Sequence, residues 1–281
     1  MLIRLGLALI VSLATCSCTT QSVAPASTAV VHSVGPDQQD LHAILEPIVT
    51  KTKVPGLAAI VLQGDKIVAQ GVAGVRKRKH TESITIDDRF LLCSGGKAMT
   101  ATLAAVAVEE GKLSWNTTLG EIFGDKIRGM HPAWKPVTVA QLLEHRAGVP
   151  TDGALFWSVA KLHFSRRSEQ EKRQAIIEKV LRKAPPHLPG TRYVYASIDY
   201  VMVGAMLEKI SGQAWESLIK AKLWEPLNMT SGGFGVPGTH GKIDQPWSHW
   251  GMIVTGHPAG PAASGPISPL HFSGPQLARQ I

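Results

Sequence analysis

The chain has 281 residues, 44% of them hydrophobic, which is enough for one large globular domain or two small ones. Its 29 Lys and Arg against 21 Asp and Glu give a formal net charge of +8. The charges are scattered, and the one dense cluster, Arg76–Lys79, falls where a solvated loop is expected. No nucleic-acid-binding motif accompanies this cluster, so the composition does not favour a nucleic acid partner.

Residues 1–20 have the pattern of an export signal. Arg4 is the only charge, and the apolar stretch that follows it is too short to span a bilayer. The segment ending at Cys16 resembles a bacterial lipoprotein cleavage box, in which the cysteine thiol is acylated and anchors the chain to a membrane. We therefore expect an exported protein, periplasmic or secreted, with Cys16 as a candidate lipid attachment site. Residues 21–36 are rich in Ser, Thr, Ala and Pro and predict a flexible tether.

Residues 37–230 combine helical and strand patterns and predict an α+β domain. Asp37 is the expected N-cap of the first helix. Two β-rich runs, residues 57–62 and 66–72, predict a hairpin that turns at Gly64. Capping residues, terminal glycines and apolar spacing predict the later helices; they cover residues 98–110, 139–145, 168 to about 183, 198–210 and 215–225.

Residues 231–281 form a tail that differs from the rest of the chain. This tail holds 10 Gly and 7 Pro, and no strand or helix of useful length is expected in it. A tail so long and irregular is unusual inside a compact domain. We interpret it as a truncated or altered C-terminus, or as a long surface excursion.

The motif Ser94-Gly-Gly-Lys97, at the start of a predicted helix, is typical of an activated serine nucleophile. Residues three apart share a helix face, so the Lys97 amine can reach the Ser94 hydroxyl, and the helix N-terminus favours a developing oxyanion. The same spacing occurs at Ser158-Val-Ala-Lys161 and Ser217-Leu-Ile-Lys220. Only the Ser94 motif follows a strand-like run and precedes a helix, so it is the preferred candidate.

Acyl transfer from a serine also needs a group that protonates the leaving group. Tyr195 is the candidate, because it follows a Pro/Gly-rich loop and precedes a helix, although a half-buried packing aromatic would have the same pattern. Cys93 is a weaker nucleophile candidate, because no His or Asp pattern supports it and a buried strand end is expected there. The 11 His show no His-Glu-x-x-His or His-x-His spacing, so no metal or cofactor is expected.

Residues 54–235 resemble the serine β-lactamase-related family, which includes class C β-lactamases, penicillin-binding carboxypeptidases and esterases. Collinear segments carry the resemblance; they include Val54–Leu57, Phe90–Ala101, Glu109–Ser114, Val137–Pro150, Pro189–Gly204 and Trp224–Met229. The resemblance implies a β-lactamase/transpeptidase-like fold, with an antiparallel sheet flanked by helices and a helical subdomain. It also implies that Ser94 is acylated, that Lys97 accepts its proton and that Tyr195 relays a proton to the leaving group.

Two departures from the family pattern bear on the substrate. Ser197 stands where the family's Tyr-x-Asn motif has Asn, and its shorter hydroxyl favours ester over amide recognition. The family's third motif, Lys or His followed by Thr or Ser and Gly, is not found, since Val254-Thr-Gly256 lacks the cation. The sheet is therefore expected to be incomplete at its C-terminal side.

The sequence thus predicts a serine hydrolase that forms an acyl-enzyme on Ser94. Its expected substrate is a small molecule, either a β-lactam, a D-Ala-D-Ala peptide or a small ester, held in part by Ser197. The alternative is a non-catalytic or truncated relative that at most binds a ligand.

Overall fold

The computed structural model describes residues 35–163, 165–239, 241–247, 249–250, 253–254 and 270–273. The export signal with Cys16, nearly all of the tether and most of the tail lie outside these residues. No helix of the described part of the chain is long and apolar enough to cross a membrane.

The described residues form eight α-helices and eight short strands. The strands are β1 (Gln39–Asp40), β2 (Gly56–Gln63), β3 (Lys66–Gly74), β4 (Arg89–Leu91), β5 (Gly233–Phe234), β6 (His249–Trp250), β7 (Ile253–Val254) and β8 (Leu270–Ser273). The helices are α1 (His42–Thr52), α2 (Gly96–Glu109), α3 (Leu119–Phe123), α4 (Val139–Leu143), α5 (Asp152–His163), α6 (Glu169–Leu181), α7 (Ser197–Ser211) and α8 (Trp215–Ile219).

The strands pair into three small sheets. The first sheet has the order β1-β3-β2, with β2 antiparallel and β1 parallel to β3. The predicted hairpin is confirmed, since Gln63 pairs with Lys66 and Gly64 takes a φ of 60° in the two-residue turn. The second sheet has the order β4-β8-β5, and β6 and β7 form a two-stranded ladder.

The main hydrophobic core lies among the helices. Helix α7 is buried along most of its length, and α2, α3, α4 and α6 pack around it. This core holds the largest fully buried apolar side chains, which include Met99, Leu119, Phe123, Trp134, Ile176 and Trp215. A smaller cluster joins α1 to β3 and contains Leu41, Leu45, Val49, Ala69 and Ala73.

The capping predictions are confirmed for three helices. Thr138 with Gln141 and Ser168 with Glu171 form capping boxes at the starts of α4 and α6. Gly212 ends α7 with a φ of 72°. At α1 the prediction was wrong, because Asp40 rather than Asp37 accepts a hydrogen bond from a first-turn amide, His42 N, at 2.8 Å.

Three elements of the fold were not predicted from the sequence. Helix α5 had no recognisable start, and α3 was missed although Thr118 and Glu121 form its capping box. The prediction that residues 231–281 contain no useful strand was wrong for β8, which pairs with both β4 and β5. The number of Gly and Pro residues reflects only local backbone preferences. A strand such as β8 is stabilised by partners that are distant in the sequence.

Candidate active site

The structure brings Ser94 and Lys97 together at the start of α2. The 3₁₀ turn Cys93–Gly95 continues directly into that helix, which places the two residues on one face. Lys97 Nζ donates a hydrogen bond to Ser94 Oγ at 3.1 Å. Ser94 is exposed and Lys97 is half-buried, so a substrate can reach the hydroxyl while the amine stays behind it.

Tyr195 joins this pair from the start of α7. Its ring centroid lies 4.9 Å from Lys97 Nζ, and 46% of its surface is exposed. Burial raises the pKa of Tyr195. Hydrogen bonds with Ser94 and Lys97, together with the Lys97 charge, lower this pKa by a larger amount, so the net shift is downward. A phenol shifted in this direction exchanges a proton more readily at neutral pH.

The loop before Tyr195 is held by the segment that follows α4. Val194 N donates to His145 O at 2.8 Å, and Gly190 N donates to Arg146 O at 2.7 Å. Gly148 has a φ of 78°, and a Cβ there would lie 2.3 Å from a carbonyl oxygen of the same loop, that of His187. Two backbone hydrogen bonds and this close approach therefore fix the position of the tyrosine.

His145 supports Tyr195 from below and is paired with a buried carboxyl. The two ring centroids are 4.5 Å apart, and His145 Nδ1 lies 2.8 Å from Asp199 Oδ2. The backbone N–H of Ala196 also points at this Nδ1, at 3.4 Å, which favours a lone pair on that nitrogen. This contact favours the shared proton on Asp199.

The electrostatics of this pair agree with that proton position. Burial raises the pKa of Asp199 to about 8, with a further increase from the charge of Asp152 and an opposing effect of Lys97. Burial also lowers the pKa of His145. Near neutral pH the pair therefore consists of a neutral imidazole and a protonated carboxyl.

Ser197 also lies in the site, and it brings a second carboxylate with it. Lys97 Nζ donates to Ser197 Oγ at 3.3 Å. Ser197 in turn donates its hydroxyl to Asp152 Oδ2 at 2.9 Å and its backbone N–H to Asp152 Oδ1 at 2.7 Å. A continuous hydrogen-bonded chain therefore runs from Ser94 through Lys97 and Ser197 to Asp152.

The sequence analysis missed Asp152, His145 and Asp199 as members of the site. His145 was visible in the Leu-Leu-x-His stretch that carried the family resemblance. Asp152 stands at the start of α5, a helix that was not predicted, so its signal was hidden. Asp199 is fully buried, and the sequence around it shows only a helical pattern.

The other two Ser-x-x-Lys matches lie inside helices. Ser158 is in the middle of α5, and its hydroxyl accepts a hydrogen bond from Lys179 rather than Lys161, at 2.5 Å. Ser217 lies inside α8, and its backbone N–H is used by Ala214 O. Neither serine combines an exposed helix start with a tyrosine.

Cys93 was expected to be buried, and this expectation was wrong. Its side chain is exposed, and its backbone has a φ of 49° at the turn into α2. Desolvation raises the pKa of the thiol, and the opposing charge of Lys97 does not reverse the shift. A thiol shifted in this direction is a poorer nucleophile at neutral pH.

The nearest match to the third family motif was Val254-Thr-Gly256. Of these three residues only Val254 lies within the part of the chain that the structure describes, at the end of β7. In the described part of the chain, no three His, Cys, Asp or Glu side chains come together as a metal site would require.

Solved structures with this architecture include a penicillin-binding protein homologue and an amidase. An octameric penicillin-binding protein homologue from Pyrococcus abyssi matches with a TM-score of 0.66 and 26% identity, over 83% of this chain and 52% of its own. The D-amino acid amidase of Ochrobactrum anthropi SV3, complexed with L-phenylalanine, matches with a TM-score of 0.65 and 19% identity, over 84% of this chain and 66% of its own. The β-lactamase/transpeptidase-like fold expected from the sequence is thus confirmed.

The family model described as Beta-lactamase matches residues 41–265, and the chain belongs to that family. The unguisins hydrolase ungD' of Aspergillus campestris is 24% identical over 202 residues, which cover 70% of this chain and 36% of that protein. Protein flp of Staphylococcus aureus is 20% identical over 197 residues, covering 70% and 38% respectively. The chain spans little more than a third of the length of these curated relatives.

Proposed function

We propose that this protein is a serine hydrolase that forms an acyl-enzyme on Ser94. The observation that supports the proposal most strongly is the position of Lys97, which donates to Ser94 Oγ at 3.1 Å and lies under Tyr195. Nucleophile, base and proton relay thus meet around one exposed hydroxyl.

In the proposed acylation step, Ser94 Oγ attacks a carbonyl carbon while Lys97, in its neutral form, takes the hydroxyl proton. The Oγ–C bond forms, and the Ser94 backbone N–H at the helix start stabilises the oxyanion. The carbonyl–leaving-group bond then breaks, and Tyr195 passes the proton from Lys97 to the leaving group.

In the proposed deacylation step, a water molecule attacks the acyl ester. Tyr195 takes one proton from this water and passes its own proton to Lys97, and Lys97 returns a proton to Ser94 Oγ as the bond between Oγ and the acyl carbon breaks and the carboxylic acid leaves. His145 keeps the tyrosine ring in place during both steps, because it contacts the ring and its own proton state is fixed by Asp199.

The proposed substrates are small carboxylic esters, with amides, peptides and β-lactams as alternatives. The names of an amidase and of a hydrolase among the relatives support hydrolysis of an acyl derivative. Ser197 supports esters first, because its hydroxyl is engaged with Lys97 and Asp152 and lacks the two donors of an amide. Export, with lipid attachment at Cys16, is a further proposal that rests on residues 1–20.

Covalent labelling tests the proposal. The purified protein is incubated with a fluorescent penicillin and with a chromogenic short-chain ester, and adducts are located by peptide mass spectrometry. We expect an adduct on Ser94 and ester hydrolysis that is lost in Ser94→Ala. Ser158→Ala and Ser217→Ala are matched controls, because both serines also precede a lysine by three residues.

The controls should behave as the unmodified protein. If neither reagent labels Ser94 and the ester is hydrolysed no faster than by Ser94→Ala, the hydrolase proposal is wrong. Reversible binding without turnover would then favour the non-catalytic alternative.

A further inference from the structure

Asp152 places a carboxylate beside the proposed nucleophile. Both of its oxygens accept hydrogen bonds from Ser197, at 2.7 and 2.9 Å, and Ser197 Oγ accepts from Lys97 Nζ. Asp152 itself is exposed, so each carboxylate oxygen keeps a lone pair on the solvent side. The carboxylate is therefore two hydrogen bonds away from the catalytic amine and still open to a ligand.

The charge of Asp152 reaches the other members of the site. It adds to the raised pKa of Asp199, and it partly offsets the lowering of the pKa values of Tyr195 and His145. Asp199 is protonated near neutral pH and His145 is neutral, so the charges left in the site are those of Lys97 and Asp152. When Lys97 loses its proton to act as the base, Asp152 becomes the uncompensated charge.

We infer that Asp152 selects substrates that carry a positive charge on the acyl part. When Lys97 is neutral and can act as the base, a quaternary or protonated amine of the substrate next to Asp152 supplies the positive charge that Lys97 no longer provides. The acyl part is assigned to this side because, in the proposed mechanism, the leaving group receives its proton from Tyr195. The inference rests on the proposed hydrolase function and narrows its substrate to cationic acyl esters or amides.

A purely structural role of Asp152 makes a different prediction. Asp152 accepts from the backbone N–H of Ser197, the first residue of α7, and this helix has no side-chain cap of its own. A capping role stabilises the helix start and treats all substrates alike. A selective role changes the ratio between a charged and a neutral substrate.

Two esters with the same leaving group separate these roles. One is the para-nitrophenyl ester of a trimethylammonio-butanoic acid, and the other is its isostere with a tert-butyl group in place of the ammonium. In Asp152→Asn, which keeps the shape and removes the charge, we expect the ratio of kcat/KM for the cationic over the neutral ester to fall about fivefold. Asp65→Asn, at the exposed hairpin turn, removes the same charge elsewhere and should leave the ratio unchanged.

A ratio that stays the same in Asp152→Asn while both rates fall would overturn the inference in favour of the capping role. Failure of the proposed function has a different signature, since neither ester would then be hydrolysed faster by the protein than by Ser94→Ala.

A binding measurement decides the inference even without turnover. The unreactive primary amides of the same two acids are titrated into Ser94→Ala and into the double variant Ser94→Ala with Asp152→Asn. We expect the affinity ratio of the cationic over the neutral amide to fall about fivefold in the double variant. Equal ratios in the two proteins would overturn the inference, whatever the hydrolysis assay gives.

Discussion

The helical side and the first sheet of this molecule differ in how completely they are packed. Around α7 the apolar side chains are almost fully buried, and Phe123, Trp134 and Met202 have no exposed surface. On α1, which covers the β1-β3-β2 sheet, Leu45 and Val49 are buried while Ile44 and Ile48 are 53% and 42% exposed. The stability of the fold therefore comes mainly from the helices.

The described members of the candidate site all belong to the better packed side. Ser94 lies in the 3₁₀ turn that leads into α2, and Lys97 lies in the first turn of that helix. Tyr195 directly precedes α7, Ser197 is its first residue, and Asp152 is the first residue of α5. Their backbones are thus fixed by the main core, although the side chains reach solvent. This arrangement allows the site to keep its geometry even where the first sheet is loosely covered.

The largest difference that we expect between the helical side and the first sheet is in the stability lost on substitution. Phe123→Ala opens a cavity in the main core, and we expect it to lower the free energy of unfolding by about 3–5 kcal/mol. Ile48→Ala removes a partly exposed side chain from α1 and should lower it by less than about 1 kcal/mol. Chemical denaturation followed by circular dichroism measures both, and equal losses would contradict the difference between the two regions.

The next effect concerns the proposed proton relay through Tyr195, which lies on the helical side. Tyr195→Phe removes the phenol hydroxyl and leaves the ring on His145, so the fold should keep its stability. We expect kcat for an alkyl ester to fall about 10²-fold, because its leaving group needs a proton. A para-nitrophenyl ester, whose leaving group departs as an anion, should lose much less. Equal losses on the two esters would argue against a proton relay to the leaving group.

The contact between Ser94 and Lys97 could be predicted from the sequence, because its signals are local. Ser94 and Lys97 are three residues apart at a helix start, and the capping boxes of α4 and α6 involve residues within one turn. The local pattern around Tyr195 fitted a packing aromatic equally well, and the family resemblance favoured the proton relay, since its contact with Lys97 joins two distant segments.

The features that the sequence did not predict depend on such distant contacts. Asp152 reaches Ser197 across 45 positions, and β8 pairs with β4 although it lies in a Gly- and Pro-rich tail. By their spacing, Ile44 and Ile48 share one apolar face of the first helix with Leu41, Leu45 and Val49, yet only the last three residues are buried. Spacing identifies an apolar face but not how much of it the rest of the fold covers.

A smaller effect is expected from the proton shared beneath Tyr195. Burial raises the pKa of Asp199 to about 8, so the folded protein holds a proton there that the unfolded chain releases near its usual pKa of 3.8. The free energy of unfolding should therefore fall as the pH rises towards 8. The pKa of His145 is lowered, so below its usual value of 6.5 this residue makes the free energy of unfolding rise with pH. Between pH 6.5 and 8 the effect of Asp199 therefore dominates over that of His145.

In that window we expect the unfolding free energy to drop by about 1–2 kcal/mol in the unmodified protein. Asp199→Asn cannot ionise and should flatten the profile, whether or not it is less stable at every pH. Denaturation midpoints measured between pH 6.5 and 8 test this. A slope that persists in the variant would mean that another group titrates there.

The smallest effects come from the helix caps of the two regions. Thr138 Oγ1 accepts a hydrogen bond from Gln141 N at 3.2 Å, and Gln141 Oε1 accepts one from Thr138 N. Thr138→Ala therefore removes half of this capping box, at the start of the helix that precedes His145. We expect this substitution to cost about 1 kcal/mol of stability. Asp40→Ala removes the acceptor of the His42 N–H just before α1 and should cost about 0.5 kcal/mol. Because α4 leads directly into His145, a less stable α4 should also disturb the site. Thr138→Ala should therefore lower ester hydrolysis, whereas Asp40→Ala should leave it unchanged. Equal hydrolysis by the two variants would show that the site does not depend on the packing of α4.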